Sequence, residues 1–296
     1  MLEVLSSTRT REREWILIKL MEIDDLPTLP SVFLNIIKLM RDPNTSMVEI
    51  ARAIEADPAL SMKILRLINS SFYGLAKTVK SVQQAIVMLG ANTIKNIVIS
   101  ASIIKALETK EQTSSFNREA LWQHSIGCGL IAHHLGNRIE FGHTEEKFVA
   151  GILHDVGKII LDIYFHSELR TVIRQVQQKN MPFYKAEREI LGIDHGEIGA
   201  YVAETWLLPD VLVEVIAKHH DYNDDHEYAD LIALIQFSDM LVRKYQVGSG
   251  GNALVPELDP LVWQRLNLDE DSLAGMEEEL KIEASKVLGP IVEMRK

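Results

Sequence analysis

Residues 45–60 read TSMVEIARAIEADPAL and have the pattern of a short amphipathic helix with a defined start and end. Thr45 or Ser46 is a typical N-cap residue, and apolar residues then recur at three- and four-residue intervals. The pair Asp57-Pro58 ends this helix, and a further helix is predicted from Leu60 to Asn69. This stretch therefore predicts two helices joined by a tight turn.

The same pattern continues on both sides of this stretch. A helix is predicted at Pro30–Met40, and Ser81 with Gln84 matches a capping box at the start of another. Gly90 suits a helix C-cap, and residues 92–93 begin the next helix. Because no long run of alternating β-branched residues is found, the predicted fold class is all-α, a multi-helix bundle.

Polar and glycine-rich segments divide the chain into four predicted parts. An amphipathic N-terminal helix occupies residues 1–21, and a first helical part covers 22–112. The polar stretch Thr109–Asn117 leads into a second helical part, 113–246, which holds most of the histidines. Gly248-Ser249-Gly250-Gly251 predicts a flexible break before a helical C-terminal extension, 247–296.

Composition excludes several classes of protein. The chain has 296 residues and 47% apolar content, enough for a large core, and a net charge of −11 that argues against a surface built for nucleic acid or anionic lipid. Cys128 is the single cysteine, so neither an intrachain disulfide nor a thiolate metal cluster is expected. Charged residues interrupt every apolar stretch, so no membrane span is predicted. We expect a protein of the reducing cytoplasm.

Histidines and aspartates in the second helical part predict a helix-lined metal site. The candidate ligands are His124, His154, Asp155, His195, His219, His220 and Asp239. Imidazole nitrogens and carboxylate oxygens together suit first-row divalent ions such as iron, manganese, nickel or zinc. On one helix, His154 and Asp155 diverge by about 100°, so both could reach ions beside it and Asp155 could bridge two. Lys158 shares the face of His154, where its ammonium could balance a phosphate oxygen or a bridging hydroxide.

The other histidines have simpler interpretations. The pair His133-His134 is a decoy that lies away from the spacing of the candidate ligands, and His143, His166 and His226 sit among polar neighbours typical of a surface. For His195 a structural role competes with the ligand role, because Asp194 and Glu197 match an N-cap and its capping box. Cys128 is expected to be a small buried thiol.

Two further segments invite functional interpretations that we do not favour. Residues 46–69 are similar in layout to a DNA-binding helix-turn-helix, yet the second helix offers only Lys63 and Arg66 as basic residues. Packing inside the bundle is preferred, and DNA is not an expected partner. Residues 70–74 lack the glycine–x–serine–x–glycine elbow of a serine nucleophile, so a helix end with a buried aromatic residue is preferred.

Several motifs, in order along residues 22 to 240, resemble those of the HDOD domain. They are Leu26-Pro27-Thr28-Leu29-Pro30, Asp57-Pro58-Ala59-Leu60, residues 64–74, Ala85-Ile86 to Leu89-Gly90, residues 150–158, Asp194-His195-Gly196-Glu197 and His219-His220. The resemblance implies an all-helical bacterial signalling module related to the HD superfamily of metal-dependent phosphohydrolases.

The chain also looks similar to the HD-GYP phosphodiesterases, and this likeness implies a binuclear site. Their ligand pattern matches the seven candidate residues, with Lys158 at the matching lysine position, and iron or manganese is favoured over nickel or zinc. Two departures stand out. Residues 222–225 lack a glycine–tyrosine–proline motif, which argues against cyclic di-GMP hydrolysis, and Ala120 replaces a glutamate ligand of some members, so no third ion is expected.

Two functions follow from these observations. We expect mainly a regulatory or protein-interaction module, because the sequence shows no basic cluster beside His219 and His220. The expected partners of such a module are signalling proteins. The alternative is an active phosphohydrolase on a nucleotide or cyclic dinucleotide, in which Asp155 and Asp239 hold the ions and Lys158 assists electrostatically. An open cleft above Asp155 and Lys158 would favour chemistry, whereas a site plugged by apolar side chains would favour a structural role. A third interpretation is that the bundle is a docking surface for a peptide or protein, which the N-terminal half would recognise.

Overall fold

The computed structural model describes residues 2–23, 44–69, 77–107, 116–139 and 146–287, together with residues 26, 33, 35, 36, 38, 39, 42 and 75. Within these residues the chain forms helices and no strand, which confirms the predicted all-α fold class. None of the described helices is both long and apolar enough to cross a membrane. Most of the predicted helix Pro30–Met40 lies outside the described residues, as do residues 70–74, 108–115 and His143.

Fifteen helices are described. The N-terminal helices are α1 (Leu2–Met21), α2 (Met47–Glu55), α3 (Pro58–Ile68), α4 (Val82–Leu89) and α5 (Ala91–Ala106). The middle of the chain forms α6 (Arg118–Arg138), α7 (Lys147–Leu153), α8 (Val156–Tyr164), α9 (His166–Lys179), α10 (Phe183–Ile190), α11 (His195–Thr205), α12 (Asp210–Lys218) and α13 (Ala229–Lys244). The last two are α14 (Pro260–Arg265) and α15 (Glu270–Ser285).

Local capping explains where several helices begin. Ser46 caps α2 and forms a capping box with Glu49, which confirms the predicted start. At α4 the predicted capping box is only half formed, because the Ser81 side chain accepts from the Gln84 backbone while Oε1 of Gln84 accepts from the backbone of Lys80. Gly90 has φ +83° and joins α4 to α5 directly, so α5 begins at Ala91, one residue earlier than predicted.

The helix-turn-helix layout of α2 and α3 serves packing. Lys63 is buried on α3 with Ile64 and Leu67, so one of the two basic residues is withdrawn from the surface. Arg66 alone is exposed on that helix as a basic side chain. This burial supports the interpretation of α3 as part of the bundle.

Two glycines bring α6 and α7 into close contact. A Cβ on Gly151 would lie 2.5 Å from Cα of Gly129, which shows that the two backbones touch. The side chain of His124 on α6 and that of His154, just after α7, are therefore brought to the same place: their ring centroids are 5.4 Å apart. The close helix contact thus builds one side of the candidate site.

Candidate metal centre

All seven predicted ligands converge in the interior of the molecule. His124 lies on α6, His154 and Asp155 between α7 and α8, and His195 at the first position of α11. His219 and His220 follow α12, and Asp239 lies on α13. All are buried except His220, which is half-buried. The side chains are more than a hundred residues apart in sequence at the extremes and meet only because the helices pack together.

The pair His154–Asp155 lies on a turn and not within one helix. His154 is the C-cap of α7, and Asp155 precedes α8 with φ −97° and ψ 10°. The expectation that the two diverge around a continuous helix is therefore wrong, because the chain changes direction between them. The turn still aims both side chains at one centre, with Nε2 of His154 3.5 Å from Oδ2 of Asp155.

Two groups of side chains could each hold a metal ion. The first is His124, His154 and Asp155, and the second is Asp155, His195, His219 and His220. Within each group the potential ligand atoms lie within 4.8 Å of one another. Asp239 adjoins the first group, with Oδ1 2.8 Å from Nε2 of His124. Asp155 belongs to both groups and stands between them.

The second group is the tighter one. Nε2 of His195 lies 3.0 Å from Oδ1 of Asp155, 3.3 Å from Nε2 of His219 and 2.9 Å from Nε2 of His220. Three imidazole nitrogens and one carboxylate oxygen thus converge on a small volume. Such a set of nitrogen and oxygen donors suits a first-row divalent ion.

Hydrogen bonds at the far side of the rings fix which nitrogen faces the centre. Nδ1 of His154 lies 2.7 Å from the carbonyl oxygen of Gly151, and Nδ1 of His219 lies 2.8 Å from that of Ile216. A carbonyl oxygen only accepts, so the proton resides on Nδ1 in both rings. Each Nε2 therefore presents a lone pair to the centre, which is the arrangement that a metal-binding histidine requires.

Several of these atoms have no hydrogen-bond partner. Among the described residues, Nε2 of His124, Nε2 of His154 and Oδ1 of Asp155 are fully buried and accept or donate no hydrogen bond. Asp239 approaches Nε2 of His124 closely, but not in hydrogen-bond geometry. Buried polar atoms without a partner are costly, and cations bound in the two groups would satisfy all three. The donor set therefore fits a divalent metal.

Burial and charge set the protonation of the cluster. Burial lowers the pKa of His154 to about 4 and that of His219 to about 3, so both rings are neutral at physiological pH. Burial acts to raise the pKa of Asp155, but Lys158 and His154 hold it well below its usual value. Burial likewise opposes ionisation of Asp239, and Arg243 outweighs it and lowers that pKa. Neutral imidazoles and ionised carboxylates are the forms that bind metal.

Lys158 is a buried counterion. Its Nζ donates to Oδ2 of Asp155 at 2.7 Å and to the carbonyl oxygen of Gly250 at 2.8 Å. It also lies 5.2 Å from the centre of the Phe183 ring. Lys158 thus contacts directly the carboxylate of Asp155, which belongs to both ligand groups.

Sequence reasoning missed Glu187 and Arg243. Glu187 is fully buried, and its Oε2 accepts from Nδ1 of His195 at 2.5 Å and from the His195 backbone at 3.0 Å. Arg243 donates from Nε to both oxygens of Asp239. A signal existed for each: Glu187 interrupts the apolar face of α10, four residues after Phe183, and Arg243 is four residues after a predicted ligand.

The segment 248–252 lies over the cluster. Ser249 donates its backbone N–H to the carbonyl of Ala120, Gly250 accepts from Lys158, and Oδ1 of Asn252 accepts from Arg243 at 2.8 Å. Gly248, with φ +63°, packs so closely that a Cβ would lie 2.4 Å from the His124 backbone nitrogen. Where the sequence predicts a flexible break, hydrogen bonds fasten the chain to the site. We call residues 248–252 the strap.

A cleft of about 360 Å³ reaches the cluster from one side of the strap. Side chains of the cluster are part of its lining, namely Lys158, His195, His220 and Asp239. Phe183, Tyr184 and Val255 line its apolar wall, and Lys185 and Arg243 are also in its lining. The expectation that no basic cluster lies beside the histidine pair is therefore wrong, because α10 and α13 bring cations to it from distant parts of the sequence.

The other histidines that the structure describes lie apart from the cluster. His134 pairs with Glu279 at 2.8 Å, and Asn137 contacts His133. His166 is exposed, and His226 is half-buried beside Glu214. Cys128 is buried, and burial raises the pKa of its thiol well above the usual value. His195 lies at the start of α11, which Asp194 caps, and its imidazole points into the cluster.

Comparison with known proteins identifies relatives of this chain. The family model described as HDOD domain matches residues 26–222. An uncharacterized protein of Treponema pallidum is 26% identical over 223 residues, 75% of this chain and 43% of that protein. The cyclic di-GMP phosphodiesterase CdgJ of Vibrio cholerae is 25% identical over 134 residues, 45% of this chain and 28% of that protein. The chain thus spans less than half the length of either relative.

A solved structure gives the same result for the fold. The crystal structure of an HDOD domain protein with unknown function from Geobacter sulfurreducens superposes with a TM-score of 0.76 at 25% identity. The match covers 95% of this chain and 98% of that one. The predicted helical bundle is therefore confirmed at the level of the whole architecture.

Proposed function

The chain belongs to the HDOD domain family, and we propose that it is a signalling module whose buried cluster supports metal-dependent hydrolysis of a phosphate ester. Two divalent ions would be held, one by His124, His154, Asp155 and Asp239, the other by Asp155, His195, His219 and His220. Iron and manganese are favoured, and nickel and zinc also suit these ligands.

One observation carries the proposal. Candidate ligand side chains of the cluster, His195, His220 and Asp239, line a cleft of about 360 Å³, which is large enough for a small organic phosphate. A site that served only to hold helices together would need no such access. The cleft also has cationic side chains, which a phosphate ester requires and a structural metal site does not.

The residues divide the work as follows. A bound divalent ion would supply Lewis-acid stabilisation of the charge on phosphoryl oxygens and would activate water. Asp155 belongs to both groups and would keep the distance between them fixed. Lys158 holds the second oxygen of Asp155, so the carboxylate is fixed before any ligand arrives. Phe183 and Tyr184 exclude water on the side of the cleft where the organic part of an ester would lie.

The substrate and partners are narrower proposals. CdgJ, which matches part of this chain, carries the name of a cyclic di-GMP phosphodiesterase, so cyclic dinucleotides belong among the first substrates to test. The missing glycine–tyrosine–proline motif argues that other nucleotide esters should be tested beside them. We also propose a protein partner in signalling, in line with the membership of the chain in the HDOD domain family.

A regulatory role without catalysis is the second candidate. Fastening of the strap through Lys158 and Asn252 favours it, because an ion beneath the strap would join α6, α8 and α13 without meeting substrate. Partner binding would then depend on metal-stabilised packing and not on turnover.

The test measures metal content and hydrolysis together. We expect roughly two equivalents of metal in wild-type protein, their loss in Asp155→Ala and His219→Ala, and their retention in His134→Ala. The loaded wild type should hydrolyse bis(4-nitrophenyl) phosphate or a cyclic dinucleotide, and the two site variants should not. Full metal content with no hydrolysis of either ester, of 4-nitrophenyl phosphate or of nucleotides would leave the regulatory role, and a folded wild type without metal would contradict both.

A further inference from the structure

Arg243 is held rigidly beside the cluster. Its side chain is 8% exposed, and Nε donates to Oδ1 and Oδ2 of Asp239 at 2.9 and 3.0 Å. On the other side, Nη1 donates to Oδ1 of Asn252 at 2.8 Å. Asn252 is itself anchored, because its Nδ2 donates to the carbonyl oxygen of Met181. The guanidinium is therefore fixed in place from two sides.

The second terminal nitrogen of Arg243, Nη2, takes no part in these contacts. Among the residues that the structure describes, none accepts a hydrogen bond from Nη2. The other two guanidinium nitrogens are used, because Nε donates to the carboxylate of Asp239 and Nη1 donates to the amide oxygen of Asn252. Gly250 packs against this nitrogen without a side chain, and a Cβ there would lie 2.5 Å from Nη2 and block it. A preorganised donor is thus left over for a ligand.

Arg243 also stands where two clefts meet. The first is the cleft of about 360 Å³ that ends on His195, His220 and Asp239. The second, of about 400 Å³, is lined by His124 and by residues of the strap. Arg243 and Asn252 line both clefts. A ligand that contacts either half of the cluster therefore passes the same guanidinium.

Other cations near the cluster are less suited to bind an anion. Nζ of Lys158 is already shared between Asp155 and Gly250, and Lys185 is exposed at the mouth of the cleft beside Tyr184. Arg243 combines burial, fixed orientation and a donor to spare. A guanidinium in this state matches the tetrahedral oxygens of phosphate better than an ammonium does.

We infer that Arg243 forms an anion subsite, in which Nη2 donates to an oxygen of a phosphate group bound beside the metal cluster. The inference rests on the proposed function, because the anion is the phosphate of the ester. A cation bound at Asp239 would share the charge of that carboxylate, so the guanidinium would be neutralised less by Asp239 and would attract an anion more strongly. Metal loading and phosphate binding at Arg243 are therefore expected to reinforce each other.

The test measures binding of inorganic phosphate to metal-loaded protein by calorimetry, with metal content determined on the same samples. Arg243→Lys keeps the charge but loses the fork, and we expect it to weaken phosphate binding by about tenfold or more. Asn252→Ala removes the support of Nη1, and a smaller loss in the same direction is expected. Lys244→Ala is the matched control, because Lys244 also lines the second cleft but pairs with Glu277 at the surface.

The outcomes separate this inference from the proposed function. Wild-type phosphate affinity in Arg243→Lys and Asn252→Ala, at full metal content, would overturn the anion subsite and leave the metal site intact. An equal loss in Lys244→Ala would also overturn it, since general charge and not the fixed fork would then bind the anion. If Arg243→Lys loses metal, the phosphate affinity of Asn252→Ala is used in its place to decide whether the anion subsite exists. A wild type that takes up no metal would contradict the proposed function, and with it this inference.

Discussion

At the scale of single residues, Glu187 shows how a carboxylate outside the ligand set can control a ligand. It accepts from both Nδ1 and the backbone N–H of His195, so ring orientation and helix start are fixed by one group. Burial acts to lower the pKa of His195, yet Glu187 raises it. We regard Glu187 as a positioning residue, because its contact with any bound ion would run through the imidazole.

Replacing Glu187 tests this role. Glu187→Gln keeps the shape but removes the charge that orients His195, and we expect metal affinity to fall by about 10- to 100-fold with the fold retained. Competition with a chromogenic chelator measures the affinity, and circular dichroism checks the fold. Glu189→Gln is the matched control on the same helix, where the carboxylate pairs with Lys179 at the surface. Equal affinities in both variants and the wild type would show that Glu187 does not position the ligand.

The neutral histidines predict a pH dependence of the metal-free protein. The unfolded chain takes up protons on His154 and His219 near pH 6.5, whereas the native protein resists this until pH is near 4 and 3, respectively. The unfolded state therefore binds more protons in this window. The contribution of these rings to the free energy of unfolding is complete above pH 6.5 and is lost as pH decreases toward 4. His195, with a raised pKa, is protonated in both states at pH 5 and does not compensate there.

Denaturation with urea at pH 7 and pH 5, in the presence of chelator, measures this effect. The midpoint should be lower at pH 5, and His154→Gln should reduce the difference because one of the resisting rings is removed. A midpoint independent of pH in the metal-free wild type would contradict the assignment of neutral rings.

At the scale of elements, the crossing of α8 and α11 places the turn His154–Asp155 against His195. A Cβ on Gly157 would lie 1.9 Å from the carbonyl oxygen of His195 and 2.9 Å from the backbone nitrogen of Gly199. No side chain fits between these helices, so glycine sets their distance. The spacing of the two half-sites depends on this contact.

A pair of glycine substitutions tests the crossing. Gly157→Ala should destabilise the protein by about 3 kcal/mol or more, because backbone must move to admit the methyl group, and metal content should fall with it. Gly275→Ala is the control on α15, where nothing lies within 4 Å of the added Cβ. That change should stabilise by about 0.5–1 kcal/mol, since glycine is a poor helix former. Thermal unfolding and elemental analysis give both readouts, and a mild effect of Gly157→Ala would refute the close crossing.

At the scale of the whole molecule, the cluster joins helices from across the second half of the chain. Side chains on α6, α11 and α13 meet those of the turns after α7 and α12. A ligand that binds only the folded form stabilises it, by about 2.7 kcal/mol at a hundredfold excess over Kd. Metal should therefore act on global stability and not only on one segment.

Addition of manganese or iron(II) to chelator-treated protein should raise the melting temperature by several degrees. The same addition should leave Asp155→Ala unchanged, since that carboxylate belongs to both groups, and should still stabilise His134→Ala, whose imidazole pairs with Glu279. A melting temperature of the wild type that is indifferent to metal would argue against a site that joins the helices.

The sequence by itself determined the helical class, many helix ends and the seven side chains that meet in the cluster. These features follow from periodicity, from caps such as Ser46, and from residue types whose chemistry is local. Tertiary structure alone decided that His154 and Asp155 lie on a turn, that Glu187 orients His195, and that Arg243 and the strap flank the cluster. The physical reason is that these contacts join residues distant in sequence, through backbone approaches that a pattern of three- and four-residue spacing does not encode.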